Sequence, residues 1–404
     1  MHIVKSSAYL LLASVSLALS ACSSSSSSGS ETSSSSASSS SAPSSTTVEL
    51  TFENLYALAD FPIGTAVSAA NEPYSIFGEE WGAGQRAVIE QHFSQMTPGN
   101  IMKMSYLQPQ RNVFTFDDAD DFVNYAESQG IGVHAHALVW HSDYQVPNWM
   151  KNLGPEVTKE EWLELIRDHV RSVAAHFAGK VDSWDVVNEA FLDTGYREGG
   201  GDDGSLFYEK MGADYIEAAF VAAREGDPGA DLYYNDFNMS ANQPKLTHVL
   251  NMVEDFQEKG IPIDGIGFQM HVYMDWPSIA DIRTSFQRAA STGLKVKITE
   301  LDIPINNPYD GSYKYPDNYY AVLTPELAAQ QKRRYCEIVE VYLEAVPEGQ
   351  RGGVSVWGVF DRDTWLVNAI FEGEHDEWPL LFDHNLQPKP AAQGVGDALM
   401  GESC

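Results

Sequence analysis

Three features of this 404-residue chain predict an α/β fold of the (β/α)8 barrel type, built as a single domain. Eight short apolar runs alternate with longer amphipathic stretches, the pattern of a parallel sheet covered by helices. Composition does not break between residues 48 and 404, and an α/β barrel absorbs more than about 250 residues as one unit. The apolar runs end in polar residues, where such a barrel carries its functional groups. An open doubly wound sheet rarely needs eight units this regular.

The chain begins "MHIVK" and continues with "AYLLLASVSLALS", too short to span a bilayer but suited to the core of an export signal. It ends at "LSAC", and residues 1–22 resemble a bacterial lipoprotein signal in which Cys22 becomes the acylated first residue of the mature protein. Several acyl chains on one residue anchor a protein where one chain would not. Ser23 after the cysteine implies export to an outer membrane or cell surface, with the membrane as a partner through the lipid. Residues 23–47 contain 17 serines in 25 positions and almost nothing apolar. They read as a disordered linker. With 25 Lys and Arg against 57 Asp and Glu, the formal charge is −32, which opposes contact with phosphate backbones. Nucleic acid is not an expected partner, and the chain is expected to act as a monomer.

From residue 48 onward the expected strands are "FPIGTAV", "IMKMSYL", "IGVHAHALVW", "VDSWDVV", "ADLYYNDF", "IDGIGFQM", "LKVKITEL" and "GGVSVWGV". Between the third and fourth, "TKEEWLELIRDHVRSVAAHFAG" opens with a capping box, Thr158 with Glu161, and closes at Gly179. Its Trp162, Leu165, Ile166, Val170, Val173 and Phe177 fall on one helical face.

The strand ends concentrate chemistry. Strand four ends in Asn188 and Glu189, strand seven in Glu300 and Asp302, and strand six in Gln269 and His271. Strand three carries His136, Trp140 and His141, and strand eight ends in Trp357. Strands four and seven lie nearly across the barrel, so Glu189 and Glu300 face one another over its mouth. Two opposed carboxylates suit glycoside hydrolysis, one donating a proton to the leaving oxygen and the other attacking or stabilising an oxocarbenium-like carbon. Trp140, Trp357 and Trp365 supply aromatic faces for sugar rings.

The motifs "NIMK", "HALVWH", "WDVVNEAF", "YYNDFN", "DGIGFQMH", "ITELD", "VWGVFDRDTW" and "PLLFD" resemble, together and in order, glycoside hydrolase family 10, the endo-β-1,4-xylanases. The resemblance covers nearly all of residues 60–392. It implies a retaining endo-1,4-β-xylanase with Glu189 as acid/base and Glu300 as nucleophile, their carboxyl groups roughly 5 to 5.5 Å apart. It implies xylan as substrate and no cofactor. Asn188 would bond the sugar 2-hydroxyl, His271 would keep Glu300 ionised, and Asp302 would orient that imidazole. Asn100, Lys103, His136 and Trp140 correspond to ligands of the non-reducing-side sugars, with Asn235 and Gln269 beside them. Trp357 corresponds to a stacking floor and Trp365 to a pocket wall. His134 and Lys297 read as structural.

Several positions depart from the family. Gly99 in "TPGNIMK" stands where a glutamate usually bonds the sugar two positions from the cleavage point, which implies an altered glycone-side subsite. "HSDYQVPNW" is longer than usual, Met270 replaces a common serine, Leu366 a basic residue and Ala392 a tyrosine. The alternatives are a glycan-binding surface lipoprotein, or an aryl-xylosidase or β-glucanase of the same fold. Histidines of "HAH" with His271 and Asp302 suggest zinc in principle, but two strands precede them and no metal is assigned, nor to "GGGDDGS". The tyrosine-rich "INNPYDGSYKYPDNYYAVL" after strand seven either lines leaving-group subsites or packs its own loop. Cys336 and Cys404 are either bridged, stabilising the fold by roughly 4 kcal/mol in the chain-entropy treatment, or a buried and a terminal free thiol.

Overall fold

The structure is a computed structural model and describes residues 46–199 and 204–404. The expected export signal, the expected acylation site at Cys22 and nearly all of the serine-rich stretch lie outside the described residues, as does most of "GGGDDGS". Eight strands close into a barrel in which every pairing is parallel. They are β1 (Ile63–Val67), β2 (Gln95–Pro98), β3 (Gly132–Trp140), β4 (Ser183–Asn188), β5 (Asp231–Asp236), β6 (Gly265–Phe268), β7 (Lys295–Leu301) and β8 (Arg351–Val356). They are ordered as in the chain, with β8 returning to β1.

The principal helices are α1 (Gly82–His92), α2 (Asp117–Gln129), α3 (Lys159–His176), α4 (Asp214–Gly226), α5 (Gln243–Lys259), α6 (Ile279–Ala290), α7 (Pro325–Ala345) and α8 (Pro390–Met400). Helix α3 starts at the expected capping box: Thr158 Oγ1 accepts from Glu161 N–H at 3.2 Å, and the Glu161 carboxylate accepts from Thr158 N–H at 2.8 Å. A cap of this kind contributes about 1 kcal/mol. The helix ends at His176, before Gly179. Trp162, Ile166, Val170 and Val173 are buried; Leu165 is half-buried and His169 sinks inward instead, bonded to Gln108 Oε1 at 2.9 Å.

The second strand is not the expected one. β2 is the four-residue "QMTP", while "IMKMSYL" forms a turn and a short helix, Met104–Leu107. β2 pairs with β1 and β3 through its backbone, so half-polar side chains suffice. The methionines and Leu107 are buried beneath the rim instead.

The apolar core lies between barrel and helices, with Phe93, Phe122, Ile166, Phe220, Phe256, Phe286, Ile338 and Tyr342 among its buried members. The barrel interior is more polar. Lys297 Nζ donates to Gln95 Oε1 at 2.6 Å, and Gln95 Nε2 donates to Asp182 at 3.1 Å. Burial pulls the Lys297 ammonium down to about 8, against the attraction of Asp185 and Asp182. A small separate cluster, Ile305, Leu323, Leu327 and Ala328 with Trp378, packs beneath the long loop after β7.

Helices α7 and α8 approach closely at Gly394, where a Cβ would lie 2.3 Å from the Lys332 carbonyl oxygen. Cys336 on α7 is buried and disulfide-bonded to Cys404, 68 residues later. Among the described residues no helix is long and apolar enough to cross a membrane.

Candidate active site

The C-terminal ends of the strands converge on two glutamates, and the backbone explains where each points. β4 ends at Asn188, and Glu189 follows at φ 60°, in the left-handed region. That turn takes its N–H to the Asn235 carbonyl at 2.9 Å, at the next strand's end. Glu300 is the penultimate residue of β7, and its N–H bonds the Gln269 carbonyl at 3.0 Å. Gln269 therefore holds one glutamate by its main chain. Its Nε2 donates to the other, reaching Glu189 Oε1 at 2.9 Å.

Glu189 receives two further bonds, from Trp140 Nε1 to Oε2 at 3.0 Å and from Asn188 Nδ2 to Oε1 at 3.2 Å. Arg197 Nε donates to its backbone carbonyl at 2.8 Å. Burial pushes the Glu189 carboxyl up, but the charge of His141, the bonds from Gln269 and Trp140 and the charge of Arg197 outweigh burial and hold it below its usual range. His141 itself is pulled down to about 4 by burial and the Arg197 charge. At neutral pH that ring is uncharged, and its contribution to ionising Glu189 is absent.

Glu300 is buried, with both oxygens engaged. Asn235 Nδ2 donates to Oε1 at 2.7 Å and also to Asn188 Oδ1 at 3.0 Å, while Asn235 Oδ1 accepts from Thr299 at 2.7 Å. His271 Nε2 reaches Glu300 Oε2 at 3.2 Å and its Nδ1 reaches Asp302 Oδ2 at 2.9 Å. Burial opposes charge on this ring, yet Asp302 first and Glu300 second raise it to about 10. The imidazolium thus donates one N–H to each carboxylate. Trp365 Nε1 also donates to Asp302 Oδ2, at 2.8 Å, and its indole lies 4.9 Å from the His271 ring.

The remaining predicted residues line the same mouth. Lys103 is buried with Nζ bonded to Asn100 Oδ1 at 3.0 Å and seated 4.8 Å from the Trp140 ring centre. Burial pulls its ammonium down to about 8, against Glu300, Glu72 and Glu189. His136 is fixed by Asp185 at 2.8 Å and meets Trp357 edge-on at 5.4 Å, and Trp357 also touches His271 at 6.3 Å. His134, bonded to Ser183 at 2.6 Å with its Nε2 lying 3.1 Å from Asp185 Oδ1, lies deeper.

Sequence reasoning missed Asp185, which braces both histidines. Its signal was the alternation of Ser183 and Asp185 with Trp184 and Val186, placing a carboxylate on the barrel's inner face. It also missed Glu72 and Tyr144. Tyr144, in the long "HSDYQVPNW" loop, is exposed and stands edge-on to Trp140 at 5.4 Å. Gln145 beside it is buried and bonded to Ser105 at 3.0 Å. Leu366, Met270 and Ala392 are buried as well.

Among the described residues, His136, Asp185 and Glu300 have ligand atoms within 4.8 Å of one another. Asp185 Oδ2 is hydrogen-bonded to His136 Nδ1, and the two Glu300 oxygens to Asn235 and His271, so these donor atoms already carry hydrogen bonds.

The sequence profile of glycosyl hydrolase family 10 matches residues 53–398. The chain belongs to that family. It is 47% identical over 355 residues to endo-beta-1,4-xylanase Xyn10C of Cellvibrio japonicus, covering 86% of this chain and 57% of that protein. Endo-1,4-beta-xylanase A of the same species is 46% identical over 367 residues, covering 87% and 57%. The chain therefore spans just over half the length of these curated relatives. Among solved structures, a mutant of xylanase 10C from C. japonicus in complex with xylopentaose superposes with a TM-score of 0.81 at 46% identity, covering 88% of this chain and 70% of that one. Native xylanase 10B from Thermotoga maritima gives 0.73 at 34% identity, covering 86% and 98%.

Proposed function

We propose that this family 10 chain is a retaining endo-1,4-β-xylanase that hydrolyses internal xylan linkages by double displacement. The observation that carries the reading is the shared clamp: Gln269 and Asn235 tie Glu189 and Glu300 to one rim, while only Glu300 faces an imidazolium. Such unequal surroundings separate two carboxyl groups into acid and nucleophile.

In the first step Glu300 Oε attacks the anomeric carbon, and Glu189 passes its proton to the departing glycosidic oxygen. A glycosyl ester forms on Glu300 as the sugar–oxygen bond breaks. In the second step Glu189 takes a proton from water, whose oxygen attacks the anomeric carbon and frees Glu300. Glu189 must be protonated when the chain departs, although the hydrogen bonds it receives from Gln269, Trp140 and Asn188 favour its ionised form. A bound sugar removes water from this half-exposed carboxyl, and the charge on Glu300 resists a second negative charge nearby. Once Glu300 is esterified that repulsion is gone, and Glu189 is free to act as base. Asn188 is held by Asn235 and Gln269 beside Glu189, the position from which it would meet the 2-hydroxyl.

Reducing-sugar release from xylan, decorated xylan, β-glucan and cellulose tests the proposal. Xylan should be cleaved fastest, with oligosaccharide products of retained configuration by proton NMR. Faster cleavage of β-glucan, or inverted products, would refute it. Export and acylation at Cys22 belong to the same proposal, resting on the "LSAC" pattern. Radiolabelled palmitate should enter the wild-type chain and not Cys22→Ser.

A further inference from the structure

The loop after β1 places an unassigned carboxylate at the glycone end of the mouth. Glu72 is half-buried there. Its Oε2 accepts from Ala69 N–H at 2.8 Å, and its Oε1 accepts from Asn100 Nδ2. Asn100 in turn holds Lys103, so Glu72, Asn100 and Lys103 form one hydrogen-bonded row leading to Trp140 and Glu189. The Lys103 ammonium is attracted by Glu72 alongside Glu300 and Glu189.

The row passes Gly99. A Cβ built there would lie 4.0 Å from Glu72 Oε1 and 3.5 Å from the Val67 carbonyl oxygen. A side chain at 99 would therefore point into the neighbourhood that Glu72 occupies from the opposite loop. Glu72 is also pre-set: its N–H bonds the Ala69 carbonyl at 3.1 Å, and Ser75 N–H bonds its own carbonyl at 3.3 Å. Two protein donors leave lone pairs on the carboxylate unused, and its accessible face opens toward solvent.

We propose that Glu72 is a specificity-determining residue, whose carboxylate accepts hydroxyl hydrogen bonds from the second sugar on the glycone side and so replaces, from another loop, the glutamate absent at position 99. The proposal rests on the xylanase reading for the identity of the sugar. The subsite is rebuilt rather than emptied: a carboxylate remains, but it approaches the sugar from the β1 side, and the strip over Gly99 stays free of a side chain.

The test compares an aryl β-xyloside, which places one sugar on the glycone side, with the corresponding β-xylobioside, which places two. For Glu72→Ala, kcat/KM on the xylobioside should fall about 10- to 100-fold, the range for losing a hydrogen bond to a charged group, and on the xyloside less than threefold. Glu72→Gln retains an acceptor for Ala69 N–H and should show the same ordering if the alanine variant folds poorly. Equal losses on both substrates would overturn the proposal, as would a xylobioside loss below threefold; a xylobioside loss that disappears when Glu72→Ala is made in an Asn100→Ala background would make Glu72 a support for Asn100 only and overturn it as well. Should the wild-type chain hydrolyse neither glycoside, the xylanase reading fails separately. The proposal is then read by calorimetry: Glu72→Ala must weaken xylobiose binding and spare xylose, and any other result overturns it.

Discussion

Replacing Asp302 by asparagine keeps the size of the side chain and an oxygen for His271 Nδ1–H, but removes the charge that raises the imidazole most. In the intact site His271 holds its proton to about 10, against an ordinary value of 6.5 and against burial. At about 1.4 kcal/mol per pKa unit, that preference amounts to about 5 kcal/mol, carried by Asp302 and Glu300 together on a ring whose side chain is only 18% exposed. Without Asp302, Glu300 alone opposes burial, and the ring should give up its proton at a markedly lower pH than in the wild type. Glu300 then loses a charge-assisted hydrogen bond above neutrality, worth about 1.5–3 kcal/mol, or roughly 10- to 100-fold in rate. The variant should come nearest to wild-type activity at the acidic end of its range, where its imidazole is charged, and fall away as pH rises to 8. Nitrogen-15 NMR of labelled histidine, run beside initial rates on an aryl xylobioside, reads both effects. A wild-type His271 titrating near 6.5, or an Asp302→Asn ring that stays charged to pH 9, would falsify the assignment. The sign for stability follows: a raised histidine stabilises the fold fully below about 6.5 and loses that contribution as pH climbs through about 10. Wild-type melting temperature should accordingly decline over that interval by more than that of Asp302→Asn.

Glu189→Ala should slow xylan hydrolysis by about 10²- to 10⁴-fold, the usual weight of general acid–base assistance, while a dinitrophenyl glycoside, whose leaving group needs no proton, forms its glycosyl ester at near wild-type speed. A pre-steady-state burst of dinitrophenolate reads this, and its absence would count against Glu189 as the acid. Cys404→Ser opens the bond to Cys336 and should lower unfolding free energy by about 2–4 kcal/mol in urea melts, with xylanase activity at 25 °C retained; an unchanged midpoint would mean the bridge contributes nothing. Dialysis against chelator should leave activity intact, because His136 Nδ1, Asp185 Oδ2 and both Glu300 oxygens already carry hydrogen bonds; loss restored by a divalent ion would count against that reading.

Much of the barrel was legible because its strands are apolar runs that stop abruptly at polar pairs, as at Asn188–Glu189 and Glu300–Asp302. β2 was not, since four residues including Gln95, Thr97 and Pro98 carry no periodicity, whereas "IMKMSYL" next door is apolar for a different reason: it fills space under the rim. The candidate residues at strand ends, Asn188, Glu189, Gln269, Glu300 and Trp357 among them, could be picked out by position, and the structure brings them to one mouth. Glu72 could not, because it sits on a loop, and its closeness to Asn100 and Gly99 is visible only once the two loops converge in space. The Cys336–Cys404 pairing likewise depends on how closely α7 and α8 approach at Gly394, a distance that spacing in sequence does not encode.

The left-handed backbone at Glu189 has a practical consequence for anyone breeding a hardier form of this protein. Glycine adopts that conformation without penalty, and a glutamate held there sacrifices roughly 1 kcal/mol of robustness. Heat-challenge screens that score only surviving folded material would therefore favour glycine at 189 among their winners. Each such winner would outlast the parent yet lack the Glu189 carboxyl and turn over slowly, so selection at this position has to keep turnover in view from the first round.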